Sequence, residues 1–123
     1  LEIIEATSLA HESTGEGLKL EPESAVPVYV TVFRGMAYVY AYSGGLPGDG
    51  ASEQDQVARG LLRRNWELPL GRLSLDKYLD LAWEAQVPMD YLTSRQVFAL
   101  KRAGAAEVAA LKRDYGDIPF NEQ

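Results

Sequence analysis

The clearest hydrophobic pattern lies in residues 27–43, where β-branched and aromatic residues dominate both sides of Arg34-Gly35. This composition favours an antiparallel β-hairpin with its turn at those two residues. A two-residue turn sets the register, so that Val30 pairs with Val39. Asn or Asp is more usual than Arg at the first position of such a turn, so a longer loop is an alternative. A four-residue loop keeps the same alternation of faces.

The predicted register divides the hairpin into two faces, because successive side chains of a strand point to opposite sides. One face is aliphatic and consists of Val28, Val30, Val32, Ala37, Val39 and Ala41. The other is called the aromatic face below and consists of Tyr29, Thr31, Phe33, Met36, Tyr38, Tyr40 and Tyr42. The pattern leaves open which of the two faces is buried.

The segments before the hairpin are short and polar. Residues 1–10 fit a short strand or a helical turn, with a preference for the strand, and residues 11–17, with their two glycines, are interpreted as a loop or a mobile hairpin connection. Leu18 to Leu20 are predicted to form another short strand, which stops at Pro22.

The periodicity changes after residues 44–51, where four glycines and one proline form a break. Apolar residues at helical spacing then predict a first helix at about residues 53–66. The same spacing, headed by Ser74 and closed by Pro88, predicts a second helix at about residues 74–86.

The last periodic segment begins at Thr93, whose Thr-Ser-Arg-Gln is a capping box, and ends at Gly116. Two structures fit its centre. In the first, Gly104 ends one helix and the segment is a helical hairpin; in the second, one long helix runs through Gly104. A glycine inside a helix costs only about 1 kcal/mol relative to alanine, so both remain open, with a slight preference for the hairpin.

Together these elements predict an α+β fold, with a small antiparallel sheet built on the β-hairpin at about 27–43, followed by three or four packed helices. A chain of 123 residues is expected to form a single domain at 1–123. Within it we distinguish an acidic β-rich part at 1–43, a Gly/Pro loop at 44–51 and a helical part at 52–123. The helices are expected to pack through Val57, Leu61, Leu62, Trp66, Leu75, Leu79, Trp83, Val97, Leu100, Val108 and Leu111.

The composition argues against several chemistries. With no cysteine in the chain, disulfide frameworks, thiolate zinc sites and cysteine nucleophiles are excluded. His11 is the one histidine, too few nitrogen ligands for an ordinary zinc site, and a Ser-His-acid triad could form only around it. Asp76 and Asp80 have a spacing compatible with metal contact, but no further ligand is evident. We therefore expect that the protein is not an enzyme and that it binds no cofactor and no metal.

Charge is distributed unevenly along the chain. The net charge is −6, and residues 1–55 hold nine acids and two bases, against nine acids and ten bases in residues 56–123. No apolar run reaches the ~20 residues that span a bilayer, and no signal-peptide pattern is present. These features favour a cytoplasmic protein without a membrane partner.

Two surfaces are candidates for binding another protein. Exposed aromatic rings provide a large contact area at low entropic cost, which favours the aromatic face. A row of arginines on the first helix is suited to carboxylate or phosphate groups. The predicted partner-binding residues are Tyr29, Phe33, Tyr38, Tyr40, Tyr42, Arg59, Arg63 and Arg64. In the alternative interpretation, the N-terminal strand partly covers the tyrosines and the arginines form a solvated helix face with local ion pairs.

One segment is similar to a known type of DNA-binding domain. The similarity rests on Leu92, Thr93, Val97, Leu100, Gly104, Val108, Ile118 and Pro119, most of which are apolar or glycine. In this order they resemble the opening of MerR-type and excisionase-type domains, in which two helices and a glycine-bearing turn precede a Gly-x-Ile-Pro-like stretch. The resemblance covers residues 92–119 and departs from the pattern at Ala105-Ala106, where Ser or Thr usually starts the recognition helix. It implies that the phosphate contacts would be Arg95, Lys101, Arg102, Lys112 and Arg113.

These observations predict a non-catalytic protein–protein interaction or regulatory module. The acidic first half would suit a basic partner, for example from the nucleic-acid or transcription machinery. A DNA-binding regulator that uses residues 92–119 is the alternative, and an enzyme without a recognisable motif is the second alternative. The oligomeric state stays open.

Overall fold

The computed structural model describes residues 11–13, 18–20 and 26–121. Within these ranges, six antiparallel strands form one sheet in the order β1-β2-β3-β4-β6-β5. The strands are β1 (His11–Ser13), β2 (Leu18–Leu20), β3 (Tyr29–Phe33), β4 (Met36–Gly45), β5 (Arg72–Leu75) and β6 (Asp80–Pro88). The helices are α1 (Gly50–Arg64) and α2 (Ser94–Tyr115), with short 3-10 turns at Asn65–Glu67 and Met89–Tyr91. No helix in the described part of the chain is long and apolar enough to cross a membrane.

The register predicted for the hairpin is confirmed. Val30 pairs with Val39, and the turn consists of Arg34 and Gly35 with φ angles of +53° and +77°. Two consecutive residues at positive φ match the right-handed twist of the strands that they join. The predicted strand at Leu18–Leu20 is confirmed as β2.

The N-terminal predictions fare differently. His11–Ser13, interpreted as part of a loop or a hairpin connection, form strand β1, which pairs with β2 as an antiparallel hairpin. Residues 14–17 and the strand predicted at 1–10 lie outside the described residues.

The predicted count of three or four helices is wrong, since the described ranges contain two. The second predicted helix, at 74–86, is instead strands β5 and β6. The apolar residues of this segment fit both a helical and an alternating period. In the structure, the alternating residues Leu81, Trp83, Ala85 and Val87 lie on one side of β6. A tight turn between the strands decides the outcome, because Asp76 Oδ1 accepts hydrogen bonds from the backbone N–H groups of Tyr78 and Asp80.

The helical hairpin favoured at Gly104 is also wrong, because α2 runs through this residue without a break. Gly104 is buried against Trp83, and a Cβ atom at this position would lie 2.6 Å from Trp83 Cε3. The glycine therefore permits close packing of helix on sheet and does not make a turn. The capping box is confirmed, since Thr93 Oγ1 accepts from Gln96 N and Gln96 Oε1 accepts from Thr93 N.

The core lies between the sheet and α2, and it buries the aliphatic face of the hairpin except Val32, which is exposed. Six of the residues predicted for the core are buried: Leu61, Trp83, Val97, Leu100, Val108 and Leu111. The prediction is wrong for Leu62, Leu75 and Leu79, which are exposed, and for Trp66, which is 92% exposed. Trp83, fully buried, donates from Nε1 to the carbonyl oxygen of Leu70 at 3.0 Å.

Candidate partner-binding face

The aromatic face of the hairpin forms the outer side of the sheet, opposite α2. Directly paired residues of antiparallel strands share a face, so the register extends this side across four strands. One row runs Tyr29, Tyr40, Glu84 and Arg72 from β3 to β5. The neighbouring row runs Tyr42, Ala82 and Ser74.

Four aromatic rings follow one another along this outer side. The Tyr29 and Tyr40 rings stack with their centroids 5.6 Å apart. Tyr40 meets Tyr42 edge to face at 6.2 Å, and Tyr42 meets Phe120 in the same way at 5.9 Å. Such geometries are the favourable ones for aromatic pairs. The prediction from sequence missed Phe120, because it comes from the segment after α2, 78 positions beyond Tyr42.

The structure brings the five predicted aromatic residues onto one face. Tyr29, Tyr38 and Tyr40 are half-buried, while Tyr42 and Phe33 are exposed to 37% and 57%. Phe33 lies at the far end, beside the turn, where the Arg34 guanidinium stands 4.9 Å from its ring centre. The face thus offers aromatic surface to solvent at both ends of the hairpin, at Phe33 beside the turn and at Tyr42.

A cavity of about 370 Å³ opens in this face. The cavity forms because Ala82 and Ser74, in the row that begins with Tyr42, have small side chains. The outer surface of the sheet is therefore recessed there relative to the tyrosine side chains. The lining residues are Thr31, Tyr38, Tyr40, Tyr42, Ser74, Leu75, Asp76, Ala82 and Glu84. Of these lining residues, which belong to the described part of the chain, two are carboxylates and none is basic.

Asp76 is held firmly at one side of the cavity. Its Oδ1 accepts from the N–H groups of Tyr78 and Asp80 at 2.8 and 3.0 Å, and its Oδ2 accepts from the Tyr42 hydroxyl at 3.1 Å. Partial burial opposes ionisation, but these hydrogen bonds and the nearby Lys77 outweigh it and lower the pKa of Asp76. The carboxylate is therefore ionised at neutral pH, and the three donors that hold it are uncharged.

Glu84 is the second carboxylate of the cavity. It lies beside Tyr40 in the register, and its side chain is 25% exposed. Arg72 Nη2 stands 3.9 Å from its Oε1, the outer limit of an ion pair. With the Arg72 side chain 62% exposed, this contact compensates the carboxylate only weakly.

The three predicted arginines of α1 do not form one continuous surface. Arg59 pairs with Asp55 at 2.9 Å on the exposed side of α1, and Arg63 is exposed. Arg64 instead binds Glu107 of α2 with two nitrogens, and this carboxylate raises the pKa of Arg64. Because α2 lies on the inner side of the sheet, the structure does not join Arg64 to the aromatic face.

A second, more apolar groove of about 390 Å³ lies between α1 and β5, lined by Ala58, Leu61, Leu62, Asn65, Arg72, Leu73, Ser74, Leu75 and Leu81. Asn65 closes part of the sheet edge here, since its side chain accepts from Leu73 N at 2.7 Å and donates to Leu73 O at 3.1 Å. This side-chain amide occupies the place of a neighbouring strand.

Across the described ranges 11–13, 18–20 and 26–121, no three His, Asp or Glu residues come close enough together to hold a metal ion.

The helix-turn-helix interpretation of residues 92–119 is wrong, because residues 94–115 form one helix without the required turn. The phosphate contacts that it implied therefore lose their structural basis.

No family model matches the sequence, and no curated protein matches it. Solved structures do match. The Yersinia pestis type III secretion chaperone SycH, in complex with a stable fragment of YscM2, has a TM-score of 0.62 at 17% identity. That match covers 89% of this chain and 93% of the other. In fold, this chain is similar to a type III secretion chaperone.

Two further structures share the fold. The ExsC–ExsE complex has a TM-score of 0.58 at 17% identity and covers 87% of this chain and 75% of the other. The HopA1–SchA chaperone–effector complex has a TM-score of 0.57 at 14% identity and covers 94% and 91%. All three structures contain the similar chain together with a second protein. The comparisons give no support to a link with transcription or nucleic acid.

Proposed function

We propose that this protein is a non-catalytic chaperone that binds a segment of another protein. The fold supports the proposal, since two of the similar structures are described as chaperones and all three are complexes with a protein. The same likeness favours binding over catalysis and a protein partner over nucleic acid. We propose the cytoplasm as its location, as expected from the sequence.

The outer side of the sheet is our proposed binding surface. One observation carries this proposal: the aliphatic face, apart from Val32, is buried in the core, whereas the aromatic face keeps Tyr42 and Phe33 exposed and continues through Phe120. Contiguous exposed aromatic surface is a common mark of protein interfaces. Arg59 and Arg63 remain candidate contacts on α1, and we assign Arg64 to holding α1 against α2.

The test compares capture of a protein partner by the wild type and by the double variant Tyr38→Ala plus Tyr40→Ala. We expect this variant to lose the captured protein, because both rings form the centre of the face. A control variant, Tyr91→Ala plus Tyr115→Ala, removes two exposed tyrosines from other parts of the molecule and is expected to retain it. Circular dichroism and thermal unfolding establish that both variants fold. Equal capture by a folded Tyr38/Tyr40 variant would show that the aromatic face is not the binding surface.

A further inference from the structure

We infer that the cavity in the aromatic face receives a cationic side chain, arginine or lysine, from the bound protein segment. The inference rests on the proposed function and adds a chemical requirement for the partner. Its basis is the combination of a side-chain-sized cavity, two carboxylates and aromatic walls at one place.

The cavity is large enough to admit one long side chain. At about 370 Å³ it lies near the lower end of the roughly 300–1,000 Å³ typical of pockets for whole small ligands. The buried Ala82 gives it an apolar floor, and Thr31 and Ser74 among its lining residues carry hydroxyls. An arginine or lysine side chain can bury its methylene groups on such a floor and keep its charged end at the rim.

The negative charges of the cavity favour an occupant with a positive charge. Asp76 and Glu84 belong to different elements, the β5–β6 turn and β6, yet both line this cavity. An anionic side chain would meet two like charges, and a neutral one would bring no charge to compensate either carboxylate. A cation is attracted by both carboxylates, and Asp76 keeps its net charge because its hydrogen-bond donors are neutral.

The tyrosine rings favour the same occupant. Tyr40 and Tyr42 meet at an interplanar angle of 85°, so that together they form a corner of the cavity. Cations are attracted to the faces of aromatic rings, and guanidinium groups also stack on them. Aromatic walls beside carboxylates are thus complementary to arginine or lysine in shape and in charge.

Two cations of the described residues lie near the cavity, and both leave room for this occupant. Arg72 reaches Glu84 only at 3.9 Å and is not among the lining residues. Lys77 points its Nζ at the Tyr78 ring, 5.2 Å from the centroid. Exposed contacts of this kind contribute little free energy, so a bound segment can displace them at small cost.

A selection from a library of random twelve-residue peptides, displayed on phage, tests the inference with the full chain as bait. We expect wild-type protein to enrich peptides that combine aromatic or aliphatic residues with an arginine or lysine. An enriched peptide is then synthesised with its cation and with neutral citrulline, or glutamine for lysine, in that position. Fluorescence anisotropy is expected to show about tenfold weaker binding of the neutral peptide.

The variant Glu84→Gln removes one charge and keeps the shape of the side chain. This variant is expected to weaken binding of the cationic peptide severalfold and to leave binding of the neutral peptide unchanged. The control Glu53→Gln removes an exposed charge from α1 and is expected to change neither. If no peptide is enriched on the aromatic face, the proposed function fails and this inference with it. If peptides bind there without a preference for a cation, or if Glu84→Gln has no effect, only this inference is overturned.

Discussion

At the scale of single residues, Gly104 is unfavourable for helix formation but is needed for close packing. Glycine weakens a helix, yet α2 carries it in a buried position directly over Trp83. Gly60, on the exposed side of α1, offers the opposite case, because nothing lies within 4 Å of the place where its Cβ would be. Substitution of Gly60 therefore tests helix propensity alone, whereas substitution of Gly104 also tests the steric fit against Trp83.

Replacing each glycine by alanine should change stability in opposite directions. Gly60→Ala is expected to stabilise the protein by up to about 1 kcal/mol through helix propensity. Gly104→Ala is expected to destabilise it by about 1–3 kcal/mol, because the added methyl group overlaps Trp83. Urea unfolding of both variants measures the difference, and a stabilised Gly104→Ala variant would contradict the packing that we describe.

At the scale of elements, the turn between β5 and β6 decides that residues 72–88 form strands. Asp76 holds the turn through two backbone N–H groups, and Leu79 adopts a positive φ of +64° within it. The Asp76 carboxylate must be ionised to accept these bonds at full strength. The stability of the turn consequently depends on pH.

The pH dependence has a defined sign. The folded-state pKa of Asp76 lies below its ordinary value of about 3.9, so its contribution is complete above about pH 4. The contribution is lost as the pH falls through the folded-state pKa. We expect Asp76→Asn to be less stable than wild type at pH 7, with a difference that shrinks as the pH falls below about 4.

Urea unfolding at a series of pH values from 7 to 2 measures this difference. Tyr42→Phe removes one of the three donors to Asp76 and should show the same trend with smaller amplitude. A difference between wild type and Asp76→Asn that stays constant down to pH 2 would mean that ionisation of Asp76 does not stabilise the turn.

At the scale of the whole molecule, the segment after α2 ties the end of the described chain to the centre of the sheet. Gly45 N donates to the carbonyl oxygen of Pro119 at 3.1 Å, beside the irregularity of β4. Asn121 N donates to Asp80 Oδ1 at 2.7 Å, and Asp80 is only 1% exposed. A buried carboxylate needs such donors, so this segment belongs to the stable structure.

Truncation after Asp117 should lower the free energy of unfolding by about 2–4 kcal/mol, because the donors to Asp80 and Leu79 are removed. The single change Phe120→Ala keeps the backbone hydrogen bonds and removes one ring contact, so a loss of about 1 kcal/mol is expected. Thermal and urea unfolding compare the two. A truncated protein as stable as wild type would show that the segment does not support Asp80.

Much of the candidate site was predictable from residues 27–43. The turn at Arg34-Gly35 and the alternation of side chains are local properties, so the hairpin register and the membership of the aromatic face follow from the sequence alone. The strand at residues 80–88 was not predictable in this way, because its apolar residues fit two periods. Phe120 and Asp76 join the site through contacts distant in sequence, for which a local pattern carries no signal.

The sequence by itself determined the pairing of the hairpin, its two faces and the start of α2 at Thr93, since each depends on neighbouring backbone groups. Which face is buried was decided only by tertiary structure, because both faces are apolar enough to pack. Helix α2 packs on the aliphatic side, where Gly104 admits Trp83. The tyrosines are thereby left on the outer side of the sheet, where we propose that a partner binds.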